Sequence, residues 1–145
     1  MESYQINEGC FLIPQGMDDE TAHVLGWPPV DDNSSPFSLT INREKTKKGN
    51  DLSTYVARQL QTLKMDLQAC QILMQRTRVI SGLPAQEVEF VWISDGDKIS
   101  QRQAYVIHKN KALTFTGTMM EEFTSYGIKL WEKILSSFQF REDMK

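Results

Sequence analysis

Phe37, Leu39 and Ile41 alternate with Ser38, Thr40 and Asn42. That is the period-two pattern of a strand with one face in a core and the other toward water. Similar patterns run on both sides of it. Residues 4–13 alternate loosely and stop at Pro14, which suits a first strand. Residues 21–27 form a second, with Ala22, Val24 and Gly26 on one face and Thr21, His23 and Leu25 on the other, ended by Pro28 and Pro29. Residues 28–36, rich in Asp, Asn, Ser and Pro, read as a loop. The period then changes. Leu52, Val56, Leu60, Leu63 and Leu67 recur at spacings of 4, 4, 3 and 4, one face of an amphipathic helix over 51–68. Asn50 or Asp51 is placed to cap it, because a short side-chain oxygen accepts an orphan N–H of the first turn.

Period two returns for a meander of strands over 72–80, 85–94, 99–109 and 112–119. Turn signals separate them at Ser81-Gly82-Leu83-Pro84, Asp95-Gly96-Asp97 and Asn110-Lys111. Gly117 inside the last strand reads as a bulge. A second helix over 121–137 shows an apolar face of Phe123, Leu130, Ile134 and Phe138. Its opposite face carries Lys129, Glu132, Lys133 and Ser136, and its acids come at the start, where they favour the helix dipole. Residues 138–140 add a last short strand. Strands in runs with two helices indicate an α+β fold whose sheet of six to seven strands is mostly antiparallel. With 145 residues, the chain reads as one domain, 1–145, large enough to fold around its own core.

Composition narrows the function classes. The net charge is −3, with the basic residues scattered apart from Lys45, Lys47 and Lys48. That is not the concentrated positive face of a nucleic-acid binder. No stretch reaches the roughly 18 apolar residues of a membrane span. The N-terminus lacks the basic and apolar regions of a signal peptide, so a cytoplasmic protein is expected. Cys10 and Cys70 lie in apolar contexts without metal or redox spacing and read as two buried thiols.

Catalysis needs a nucleophile, a base and an orienting group. The two histidines, His23 and His108, fall on different strands and read as strand residues satisfied by their neighbours. No P-loop, GxGxxG or GxSxG motif is present. Asp95-Gly96-Asp97 lacks the further ligands of a calcium loop, and Asp18-Asp19-Glu20 reads as a solvated turn. No enzyme activity, cofactor or metal is expected. The informative polar residues are amides among apolar neighbours. Gln101 and Gln103 share a strand face with Tyr105 and Ile107, and Gln59 lies beside the apolar stripe of the first helix. Two accounts fit: a solvated strand end, or a mixed groove that binds an apolar chain and offers it donors and acceptors.

Several segments, in order, resemble the DcrB-related family. They are Tyr4-Gln5-Ile6-Asn7-Glu8-Gly9 with Phe11 and Pro14; Phe37-Ser38-Leu39-Thr40-Ile41-Asn42-Arg43-Glu44; Tyr55-Val56 with Arg58-Gln59-Leu60; Gly82-Leu83-Pro84-Ala85 with Glu87-Val88-Glu89-Phe90; Gln101-Arg102-Gln103-Ala104-Tyr105-Val106; and Ser136-Ser137-Phe138. Members without a lipoprotein signal are similar to the Eag chaperones of type VI secretion systems. The resemblance implies a Mog1/PsbP-like sandwich that forms a homodimer. It also implies a chaperone that shields the N-terminal transmembrane region of an Rhs or PAAR-containing effector, without nucleic acid and without inserting into a membrane itself. The candidate client groove is then Ala22, Val24, Leu39, Ile41, Gln59, Leu63, Gln103 and Tyr105, with Leu39, Ile41 and Leu63 equally suited to a core. The competing reading is a non-enzymatic regulator or scaffold with the same fold, since fold alone does not set function.

Overall fold

In the computed structural model the described residues are 2–6, 9–13, 18–20, 24–27, 35–46 and 51–140. The strands are β1 (Glu2–Ile6), β2 (Gly9–Ile13), β3 (Asp18–Glu20), β4 (Val24–Trp27), β5 (Phe37–Lys45), β6 (Gln71–Ile80), β7 (Leu83–Ser94), β8 (Asp97–His108), β9 (Lys111–Met120) and β10 (Gln139–Phe140). The helices are α1 (Leu52–Asp66) and α2 (Ser125–Ser137). A seven-stranded sheet runs in the order β3-β4-β5-β9-β8-β7-β6, and a three-stranded one in the order β1-β2-β10. Every pairing is antiparallel, so the α+β class expected from the pattern is the class observed.

The meander closes through two-residue turns with both central residues at positive φ: Ser81-Gly82, Asp95-Gly96 and Lys109-Asn110. These backbone angles match the right-handed twist of the flanking strands. The last turn therefore lies one residue before the expected Asn110-Lys111. Asp51 caps α1, its Oδ1 accepting from the Thr54 N–H at 2.7 Å. Thr124 caps α2 by accepting from the Gly127 N–H, so α2 begins later than expected. The acids Glu121 and Glu122 precede it, Glu121 at φ +63°.

Three further expectations change. The single strand over 4–13 is a hairpin, β1 and β2, joined at Ile6↔Gly9. The three acids 18–20 form a strand, β3, paired with β4. Gly117 is not a bulge: it pairs in unbroken register with Leu39 and Arg102. A Cβ there would stand 2.9 Å from Trp131 Cε3, 3.0 Å from Phe37 and 3.2 Å from Phe123, so glycine is required by close packing.

The seven-stranded sheet has two different faces. Under α2, Phe37, Leu39, Ile41, Leu113, Phe115, Ala104 and Val106 pack on Leu130, Trp131, Ile134 and Leu135. The opposite face meets α1, where Tyr55 and Val56 pack on Val88, Phe90, Tyr105 and Ala112. Among the described residues no helix is long and apolar enough to cross a membrane.

Candidate functional site

Among the described residues, α1 covers only part of the sheet face toward it. α1 lies over β7 and β8, and the strip over β9 and β5 lies beyond it. Register sets what that strip presents. One row across the sheet runs Val24, Thr40, Thr116, Gln103, Val88. The next runs Gly26, Ser38, Thr118, Gln101, Phe90, and a third includes Asn42, Thr114 and Tyr105. From α1 outward as far as β5, each of the first two rows passes from apolar through amide to hydroxyl, with Thr116 buried and Ser38, Thr40 and Thr118 half-buried.

The hydrogen bonds follow the same direction. Trp92 Nε1 donates to Gln101 Oε1 at 2.7 Å, and Gln101 Nε2 donates to Thr118 Oγ1 at 2.9 Å. An indole N–H can only donate, so it dictates which end of the Gln101 amide faces it. The amide N–H₂ is thereby turned toward Thr118, whose own hydroxyl hydrogen remains to be donated elsewhere. In parallel, Tyr105 Oη donates to Gln103 Oε1, and Gln103 Nε2 donates to Thr116 Oγ1 at 3.2 Å. Burial pushes the Tyr105 phenol well above its usual range, with the nearby Tyr55 adding to the shift, so Tyr105 stays a neutral donor. Its ring packs edge-on to Tyr55, centroids 6.2 Å apart.

Where the helix meets the strip there is a cleft of about 320 Å³ lined by Asn42, Glu44, Tyr55, Gln59, Gln103 and Thr114, among others. Tyr55 Oη donates to Glu44 Oε2 at 3.1 Å. Burial raises the Tyr55 phenol above its usual value, against the hydrogen bond from Thr114.

The expected groove residues separate into groups. Gln59 and Gln103 meet in the cleft. Tyr105 is fully buried beneath it, and Leu63 is half-buried against the core under α1. Val24 holds a position in the first row by its pairing with Thr40, and Ala22 lies outside the described residues, as does His23. Leu39 and Ile41 are corrected: both are fully buried in the core under α2. The reason is the pleat, which sends successive side chains of β5 to opposite faces. Thr40 and Asn42, not Leu39 and Ile41, face the strip. The hydroxyl row Thr114, Thr116, Thr118 was missed, although its spacing of two in the sequence marks one strand face. His108 stacks on Phe140 at a centroid distance of 3.9 Å, and Cys70 is a half-buried free thiol raised by burial.

The face toward α2 holds a charged cluster. Glu87, 0 % exposed, meets Arg76 at 3.2 Å, Arg78 at 2.5 Å and Arg102 at 3.2 Å. Glu132 of α2 reaches Arg76 at 2.7 Å and Arg78 at 3.1 Å, and Glu89 reaches Arg102 at 3.0 Å. Three guanidiniums meet three carboxylates, so the cluster carries no spare charge for a ligand. It ties α2 to β6, β7 and β8. Burial opposes the charge on Arg78, but Glu87 and Glu132 raise its pKa nonetheless. Among the described residues no group of His, Cys, Asp and Glu gathers as a metal site.

The family model DcrB matches residues 8–137. No curated protein matches the chain. Solved structures match it in fold. PA94 from Pseudomonas aeruginosa, a protein of unknown function, is 21% identical with a TM-score of 0.71, over 91% of this chain and 91% of that one. LpqN of Mycobacterium tuberculosis, involved in cell envelope biogenesis, is 15% identical with a TM-score of 0.72, over 90% and 81%. The cyanobacterial PsbP of Synechocystis is 13% identical with a TM-score of 0.67, over 96% and 91%. At these identities the likeness is one of fold.

Proposed function

The chain belongs to the DcrB family, and on that premise we propose that it is a non-enzymatic chaperone, acting as a cytoplasmic homodimer, for a type VI secretion effector. It shields the N-terminal transmembrane segments of an Rhs or PAAR-containing toxin until the effector is loaded on the secretion spike. The observation that carries this reading is the graded strip beside α1, where Gln101 links the half-buried Trp92 to Thr118 and Gln103 links the buried Tyr105 to Thr116. A transmembrane helix outside the membrane needs its apolar surface covered. It also needs its small and polar positions met by hydrogen bonds of the kind a neighbouring helix supplies. The half-buried Leu60 and Leu63 offer the first. The half-buried Thr118 hydroxyl, oriented by Gln101, offers the second.

The test is co-expression with the N-terminal segment of an effector encoded beside this gene, followed by size-exclusion chromatography with light scattering. The expected result is a soluble complex that is lost when the apolar segments of the client are deleted. Thr118→Val and Gln103→Ala each remove one hydrogen-bonding group and should weaken client binding roughly two- to tenfold. Val24→Glu, which sets a charge in the first row, should abolish it. A client that aggregates regardless of this chain, or that binds through a folded domain, would replace the chaperone with the regulator or scaffold.

A further inference from the structure

The two edges of the seven-stranded sheet are unequal. β3 is three residues long and wholly acidic. Short, charged strands are the usual protection of an edge against pairing with another chain. β6, at the other end, is ten residues long and pairs within the described residues only with β7. It also carries two large apolar side chains in the open, Leu73 at 55% and Val79 at 64% exposure. Its own charges do not guard it. Arg76 and Arg78 are drawn onto Glu87 and Glu132 of the same chain, at 2.5 to 3.2 Å.

We propose that β6 is the seam at which two copies of this chain join, antiparallel and related by a two-fold axis at Arg76. The spacing within the strand supports this partner. Leu73 lies three residues before Arg76 and Val79 three after it, so the axis sets Leu73 of one copy opposite Val79 of the other, twice. Gln75 comes opposite Thr77. A two-fold contact must be self-complementary in this way, and cross-strand apolar pairs are what stabilise such a ladder. The two Arg76 side chains that approach at the axis are each paired with Glu132 at 2.7 Å, which removes the repulsion between them. The bulge falls at Leu73, which has no register partner on β7, so the regular ladder of the seam covers residues 74–78 and the two Leu73–Val79 contacts close its ends.

An in-plane antiparallel joint has its axis perpendicular to the sheet. Both copies of α1 then stand on the same side, with one hydroxyl strip outside each. This seam deepens the homodimer of the chaperone reading, but its geometry does not depend on a client, so its test needs none.

Light scattering across a dilution series of the full chain should give twice 16.7 kDa. Leu73→Glu with Val79→Glu should reduce it to a single chain with unchanged circular dichroism, since both side chains already face water. In a background without Cys10 and Cys70, a mixture of Gln75→Cys and Thr77→Cys chains should form an intermolecular disulfide on oxidation. Opposed residues of such a ladder have Cα atoms about 4.5–5.5 Å apart, within disulfide range. Ser53→Cys, exposed on α1, should not crosslink. A wild-type monomer at every concentration overturns the proposal. So does a double-glutamate variant that stays dimeric, or a cysteine mixture that links no better than Ser53→Cys.

Discussion

Glu87 and Gly117 are the two positions where one atom group decides most. The Glu87 carboxylate is fully buried and receives hydrogen bonds from Arg76, Arg78 and Arg102. Removing one partner from a buried ionic cluster leaves uncompensated charge, which costs on the order of 3–5 kcal/mol. Glu87→Ala should lose about that much in urea unfolding, whereas Glu132→Ala, half-exposed on α2, should lose well under half of it. At Gly117 the neighbours are ring atoms of Trp131, Phe37 and Phe123. Those rings sit in a packed core and cannot yield cheaply. Gly117→Ala should therefore cost about 1–3 kcal/mol by overpacking. The sequence reads this glycine as a bulge, but its explanation lies in Phe37, Phe123 and Trp131 of α2, which come alongside only in the folded chain.

At the scale of elements, local signals were largely sufficient. The spacing of Leu52, Val56, Leu60 and Leu63 located α1, and Asp51 was read as a candidate for the cap it forms. The hydrogen bond from Thr54 holds the Asp51 carboxyl below its ordinary range. A lowered folded-state pKa means the contribution is present above the ordinary aspartate value and disappears as pH falls through the lowered one. Asp51→Ala should thus melt earlier than wild type at neutral pH, and the difference should close in acid, as seen by thermal circular dichroism at a series of pH values. Apart from β3, whose three acids read as a turn, and Gly117, the differences lie at boundaries. The hairpin of β1 and β2 read as one strand because Asn7-Glu8 carries no glycine or proline, and Gly9 opens the second strand. α2 starts at Ser125 because Thr124 supplies the cap, and the preceding acids had suggested an earlier start.

At the scale of the molecule, the candidate site is a product of register. Gln103 reaches Thr116 only because β8 and β9 pair with those residues opposite. Gln59 joins them because α1 crosses above. If the strip grips a client, blocking its polar groups and breaking the β6 seam should act separately. Thr118→Val should weaken client capture and leave the dimer mass unchanged, while Leu73→Glu with Val79→Glu should halve the mass.

The sequence by itself determined the class of fold, the existence of both helices and the meander, and the shared face of Gln101, Gln103, Tyr105 and Ile107. Each of these depends on periodicity over a few residues, which the chain carries locally. Only the tertiary structure decided which face of β5 is core, why Gly117 is glycine, that Arg76, Arg78 and Arg102 converge on Glu87, and which strand ends the sheet among the described residues. Those facts depend on residues far apart in the chain being brought opposite one another. Strand register and helix docking do that, through the joint burial of Trp131, Phe115, Leu39 and their neighbours in one core.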